Sequence, residues 1–307
     1  MPKLIRSFSQ QEHLNFLLTN RIPRRLATQL MGWLSEIESP RLTRLMIRIW
    51  RLFADDLNLD ESRSREFSSL QECFTRELRS GARPIDMRSG IVISPCDAIV
   101  GEYGTIRGTT VFQAKGFPYE LHDLIPDRSI RETYRDGKYI TLRLKSSFYH
   151  RFHAPVACRI QEVIYVSGDT WNVNPIALQR IEKLYCKNER AILELETGRD
   201  QSRICLVTVA AILVASIKLQ WLDKLLDMHY RGAQKIACYA QFSKGDELGY
   251  FQHGSTIILF ATPDYSFCDG IDTGVSIKMG ESLLSFLEPS VAKDIRRQPQ
   301  LLSEVIT

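Results

Sequence analysis

Apolar residues recur at helical spacing only near the start of the chain. Leu26, Leu30, Trp33, Leu34 and Ile37 fall at i, i+4, i+7, i+8 and i+11. Leu42, Leu45, Met46, Ile49, Trp50 and Phe53 repeat that stripe after Pro40. The pattern predicts two helices in the first ~60 residues, the second opening at a proline whose missing N–H costs nothing in a first turn. From about residue 90 the period changes. Short β-branched and aromatic runs at 91–93, 99–100, 139–144, 159–166, 191–196, 204–209, 235–242 and 256–260 are separated by Gly, Pro and Asp turns, and read as strands. Short helices are expected near 117–125 and 176–184, with a C-terminal helical stretch around 281–287, while 221–226 fits neither period. The expected fold class is α+β: a compact, mainly antiparallel β body with a helical N-terminal region. The chain divides into 1–60, amphipathic and helical, and 61–307, the β-rich domain.

Composition and charge sharpen that division. A 44% hydrophobic fraction over 307 residues supports a sizeable core. Seven scattered cysteines without a C-x-x-C pair fit reduced thiols in a cytosolic compartment better than a disulfide framework or a zinc site. No metal is expected. The N-terminus carries no apolar signal core, and the longest apolar run, 204–215, is interrupted only by Thr208 and is too short to span a bilayer. Through residue 53 there are nine Lys/Arg against three acids, whereas the whole chain is only +4. Arg41, Arg44, Arg48 and Arg51 share the face opposite the second apolar stripe. That arrangement suits an interfacial helix meeting an anionic surface; it equally suits a helix docked on its own core with solvated arginines, and the two are compatible.

Candidate chemistry centres on Gly254-Ser255-Thr256. A serine after glycine and before a β-branched run can attack its own backbone carbonyl. An N→O acyl shift followed by β-elimination would then break the chain and leave a pyruvoyl group on the fragment starting at 255. The triplet alone is also an ordinary turn entering a strand. Two further segments bear on the choice. Tyr149-His-Arg-Phe-His-Ala-Pro-Val156 places His150 and His153 three apart in a chain with six histidines. Ser94-Pro-Cys-Asp-Ala-Ile-Val100 sets Asp97 in an apolar stretch, where a buried carboxylate needs a partner. Ser255, a histidine and Asp97 would form an activating relay, the base being oriented by a carboxylate. Read singly, the histidine is a packed core residue and Asp97 a turn cap. Lys115, in Gln-Ala-Lys-Gly, is either a partner for an anionic substrate or a solvated turn lysine. The G-x-x-x-x-G-K-[ST] phosphate loop is missing, and Gly101-Glu-Tyr-Gly104 is too short for a dinucleotide fingerprint.

With Phe74-Thr-Arg-Glu-Leu-Arg-Ser-Gly-Ala-Arg-Pro-Ile85, Gln113-Ala-Lys-Gly-Phe-Pro-Tyr119, Gly168-Asp-Thr-Trp-Asn-Val-Asn-Pro175 and Asn188-Glu-Arg190, these segments stand in the order found in phosphatidylserine decarboxylases. From about residue 20 to about 290 the chain resembles that pyruvoyl-dependent, prokaryotic-type family. The resemblance implies self-cleavage between Gly254 and Ser255 into 1–254 and 255–307, with a covalent pyruvoyl cofactor made from Ser255. It implies a relay of Asp97, His153 and Ser255, the second histidine matching the relay position, and a role for His150 in the headgroup site or in protonating the carbanion. The implied substrate is phosphatidylserine in an anionic membrane. The keto carbon would condense with its amine and accept the electrons released with CO2. The two fragments would remain each other's partners; a homodimer is a further candidate and nucleic acid is not expected. The implied location is peripheral, on the cytoplasmic face of the cell membrane. Three departures are visible: His253 replaces a usual Leu, Ala98 a common Gly, and Cys158 another Gly. Two alternatives remain at this point. One is a Ser-His-Asp hydrolase with Ser255 intact, which would lack the usual G-x-S-x-G elbow. The other is a membrane-surface binding homologue that no longer cleaves.

Overall fold

A computed structural model describes residues 23–54, 56–113, 117–199, 202–212, 216–227, 229–232, 234–252 and 255–287. Two helices, Arg24–Glu36 and Pro40–Arg51, lead into a body built of short strands. Ser39 caps the second helix by accepting from the Leu42 N–H, and Pro40 sits in its first turn, as the sequence pattern predicts. The main sheet has eight strands in the spatial order 235–242, 158–166, 190–197, 203–210, 255–261, 138–144, 98–105, 276–277. Adjacent strands in it are antiparallel. The predicted runs at 91–93 and 235–242 are strands with those bounds, and the other six match to within a few residues.

Ser255–Ala261 lies inside this sheet, and all seven of its residues are buried. It pairs residue for residue with Arg203–Ala210 on one side and Lys138–Leu144 on the other. A strand covered on both faces carries an unbroken apolar run, which is why Thr256–Phe260 shows no polar alternation. Its side chains still alternate. Ile257 and Leu259 face one core with Phe152, Ile217, Leu248 and Phe251, contributed by a second, four-stranded sheet. Ile258 and Phe260 face another core with Tyr119 from the short strand Pro118–Glu120 and Leu121, Leu184 and Tyr185 from short helices.

The second sheet runs in the order 226–227, 216–219, 247–251, 151–153. Its strands are short and carry polar residues, and none of the four was predicted. They matter because Arg151–His153 carries the histidine motif, while Glu247–Phe251 is the strand that leads into Ser255. The expected C-terminal helix is corrected: Ser282–Phe286 is a strand between Ile91–Ile93 and Tyr265–Phe267. The adjacent pair Leu283 and Leu284 is fully buried, which suits a strand covered on both faces better than a helix with one apolar stripe.

The N-terminal helices combine both alternatives weighed for them. Ile47 packs with Leu57, Phe67, Leu70 and Cys73, and Trp50 stacks on Phe74 at 5.1 Å between ring centroids. Yet Leu26, Leu30, Trp33, Leu45, Ile49, Leu52 and Phe53 all remain about half exposed or more. One side of the pair is therefore docked and an apolar side is open.

Phe152 and Phe251, 5.2 Å apart between centroids, tie the histidine strand to the strand entering Ser255. Phe152→Ala should cost about 3–5 kcal/mol of stability, because both the ring and its cavity lie in a fully packed core. Urea denaturation of the purified variant measures this; a loss below about 1 kcal/mol would show the two strands to be held otherwise.

Candidate active site

The turn ahead of strand Ala98–Thr105 presents Asp97 to Arg83. The guanidinium donates from Nε to Oδ1 at 2.8 Å and from Nη2 to Oδ2 at 2.5 Å, and a further Nη2 bond reaches Glu61 at 2.7 Å. The Met279 N–H adds a bond to Oδ1 at 2.9 Å. Burial works against the charge on Arg83, but the two carboxylates outweigh it and raise its pKa further. Glu61 is held below the usual carboxylate range in spite of its own desolvation, again by Arg83.

His153 ends strand Arg151–His153 and is buried. Its Nδ1 lies 2.8 Å from the Gly245 carbonyl and its Nε2 2.9 Å from the Tyr149 hydroxyl. A carbonyl can only accept, so Nδ1 carries the proton. Nε2 of the neutral ring then accepts from Tyr149. Desolvation lowers the His153 pKa, against an opposing pull from the Gly245 bond, which favours this neutral form. Gly245 has φ +88°, a conformation that glycine adopts without strain, and the turn it makes aims its carbonyl at the ring. The expectation that Asp97 orients His153 is thus corrected in its detail. Gly245 and Tyr149 hold the ring, and Arg83 and the Met279 amide hold Asp97.

His150 lies at the other end of the motif, fully buried. Its ring packs on Phe74 at 4.3 Å between centroids, its Nε2 is 3.2 Å from the Ser146 carbonyl, and its own carbonyl accepts from the Phe251 N–H at 3.0 Å. Phe251 stands four residues before Ser255, so His150 flanks the chain as it approaches that serine. His153 pairs with Glu247, further back. Ser255 opens its strand fully buried, and its hydroxyl has no hydrogen-bond partner among the described residues. Lys115, His253 and Gly254 lie outside the described residues.

Register relates the separate pieces. Ser255 is opposite Leu144, and Arg143 is opposite Ile99. Asp97 and Ser255 therefore sit at the same end of the sheet with one strand between them, about 10 Å apart at two strand spacings. Beside Asp97 opens a cavity of about 210 Å³ lined by Asp97, Arg83, Tyr149, Lys145 and Lys278 among others; Ser255 and His153 are not on its wall. It holds both signs of charge. Arg83, Tyr149 and Gly245 are the site residues that sequence reasoning missed. The first two stood inside quoted motifs without a role; Gly245, in the turn before strand Glu247–Phe251, had no signal beyond being a glycine.

A family model for phosphatidylserine decarboxylase matches residues 70–285. The phosphatidylserine decarboxylase proenzyme of Vibrio cholerae is 34% identical over 275 residues, covering 85% of this chain and 94% of the relative. That of Erwinia tasmaniensis is 30% identical over 294 residues, covering 92% and 97%. The chain belongs to the phosphatidylserine decarboxylase family. Asp97, His150, His153 and Ser255, with Arg83, Tyr149 and Gly245, fall inside the stretch that the phosphatidylserine decarboxylase model matches, and Glu61 lies before it. Among the described residues of this family member, no three His, Cys, Asp or Glu side chains cluster as metal ligands, and no helix is long and apolar enough to cross a membrane.

Arg83 and Asp97 have side chains only 5% and 10% exposed. Arg83→Ala would leave Asp97 with only the Met279 amide and Glu61 with only Lys278, and removing one member of such a buried pair costs about 3–5 kcal/mol. Thermal and urea unfolding should show that loss, and Asp97→Asn in the Arg83→Ala background should recover part of it. Equal stability of Arg83→Ala and wild type would exclude the clamp.

Proposed function

We propose that this enzyme decarboxylates phosphatidylserine to phosphatidylethanolamine, using a pyruvoyl group that it makes from its own Ser255. The observation that carries the proposal is Ser255 itself: a buried hydroxyl without a partner among the described residues, directly after Gly254, in a chain of this family. Burying a hydroxyl without a hydrogen bond is costly, and such costs concentrate where a group must react.

In the maturation step the Ser255 oxygen attacks the Gly254 carbonyl carbon and the peptide C–N bond breaks. An ester replaces it, and the Ser255 nitrogen becomes an amine. Removal of the Cα proton expels the ester oxygen with residues 1–254 as a carboxylate. Water then takes the place of the nitrogen, which leaves as ammonia, and a keto group remains at the head of 255–307. His153 is the base that the neutral Nδ1–H tautomer prepares: its single lone pair is on Nε2. To take the Ser255 proton, Nε2 exchanges its bond from Tyr149 to the serine. Asp97, fixed by Arg83, sets a negative potential beside Tyr149 and His153, which favours the imidazolium as it forms.

The pyruvoyl group supplies the electron sink that holds the electron pair freed as CO2 leaves. The protein's own residues bind and orient the headgroup. His150, beside the entry to Ser255, is the proton donor or positioning group for the decarboxylated carbon, and Lys115 is a candidate partner for the anionic part of the substrate. The half-exposed apolar residues of the two helices, with Arg41, Arg44, Arg48 and Arg51, support a peripheral position on an anionic membrane, where the substrate's acyl chains stay in the bilayer. Cysteines that are all free support the cytoplasmic face.

Purified wild-type protein should run as two bands on a denaturing gel and release CO2 from phosphatidylserine in mixed micelles. Ser255→Ala should run as one band and release none. A single wild-type band together with full activity would refute the pyruvoyl route.

The acid side of the profile tests the role of His153. Its folded pKa lies below 6.5, whereas the unfolded chain binds a proton at about 6.5. Stability from this group is therefore complete above about pH 6.5 and falls as pH drops through that value. The maturation rate should climb with pH through an inflection below 6.5. In Tyr149→Phe the lone pair of Nε2 loses its donor, and that inflection should move by a measurable amount. Rapid-mixing maturation assays from pH 5 to 8 read both; an inflection that His153→Asn leaves in place would remove His153 as the base.

A further inference from the structure

Four arginines converge on a second cavity, of about 220 Å³, whose wall includes neither Asp97 nor Ser255. Arg44, Arg48 and Arg51 reach it from helix Pro40–Arg51, and Arg65 closes it from the facing loop; among the described residues, the only acid on its wall is Glu66. Among the described residues, none of the four arginines forms an ion pair with a carboxylate. Arg44 instead donates from Nε to the Pro40 carbonyl at 3.1 Å. Like charges three and four apart on a helix repel, so this grouping weakens the free helix unless an anion sits among them. Arg65, distant in sequence from the helical stripe, turns a charged helix face into a concave site. The forked guanidinium donors match the oxygens of a phosphate. On the same helix Leu45 and Ile49, and just beyond it Leu52 and Phe53, are about half exposed.

We propose that this cavity binds the phosphate of an anionic phospholipid headgroup, while the neighbouring apolar side chains enter the acyl boundary. The proposal rests on the membrane-surface reading above and makes it specific: one phosphate in one pocket instead of a diffuse field. A zwitterionic lipid is a weaker occupant, because its own cation offsets the phosphate charge that the arginines recognise. The pocket would thereby set which membrane, and which depth and orientation on it, the catalytic body adopts.

Arg41 provides the control, since it shares the basic stripe but does not line the cavity. Binding of the full enzyme to phosphatidylcholine vesicles, with and without phosphatidylglycerol, is measured by co-sedimentation for wild type, Arg41→Gln, Arg48→Gln and Arg65→Gln. A diffuse field predicts equal losses of about fivefold for every arginine removed, the equivalent of about 1 kcal/mol each. The pocket predicts losses above about tenfold for Arg48→Gln and Arg65→Gln on phosphatidylglycerol vesicles, and about twofold for Arg41→Gln. Equal losses in Arg41→Gln and Arg65→Gln would overturn the pocket and leave the surface reading intact. Wild type that ignores both vesicles at low salt would overturn the surface reading as well. Calorimetric titration with inorganic phosphate separates the sources. If Arg65→Gln abolishes phosphate binding but leaves vesicle binding unchanged, the occupant is free phosphate and the lipid assignment is wrong.

Discussion

The strand that begins at Ser255 is hydrogen-bonded along both edges, and the rest of the structure depends on that double pairing. It fixes the serine at a set depth at one end of the main sheet, level with Leu144 on one side and Ala210 on the other. It also explains how a chain could be cut immediately before residue 255 and remain one protein. The ladders to Arg203–Ala210 and Lys138–Leu144 run on from Ser255 to Ala261, beyond the Gly254–Ser255 bond, and Ile257, Ile258, Leu259 and Phe260 stay buried in two cores. A fragment that contributes an interior strand is held by the same burial that holds the intact sheet.

Around that fixed point the charges are kept in separate compartments. Arg83 ties Asp97 to Glu61, and so links this end of the sheet to the segment that follows the N-terminal helices. His153 is held neutral by burial, with one nitrogen committed to a backbone carbonyl and the other to a phenol. His153 and Asp97 share no direct hydrogen bond; Tyr149, whose hydroxyl meets His153 Nε2, also lines the cavity at Asp97.

Much of this was legible in the residues, and the exceptions have physical causes. Long apolar runs such as 139–144 and 204–209 bury both faces, and burial is what the pattern encodes. The strands Arg151–His153, Ser216–Leu219 and Glu247–Phe251 are short and carry Arg, Lys and Glu, so their pairing energy comes from partners distant in sequence. The same holds for Ser282–Phe286, read as helical until its neighbours Ile91–Ile93 and Tyr265–Phe267 are known. At the site, motif order brought out Asp97, His150, His153 and Ser255 as types. It did not reveal that Arg83 would occupy the carboxylate or that Gly245 would orient the imidazole, because both are tertiary contacts. The spacing of the two histidines could not say which faces what; strand pairing gives His150 to Phe251 and His153 to Glu247.

The central claim is that Ser255 becomes a keto group while its strand stays in the sheet. Mass spectrometry of one freshly purified sample, under native and then denaturing conditions, tests both halves. The account predicts a single native species containing 1–254 and 255–307 in equal amounts. On denaturation it predicts two masses, the smaller one carrying pyruvoyl in place of an N-terminal serine. An intact 307-residue mass, a fragment beginning with free serine, or fragments that separate under native conditions would contradict it.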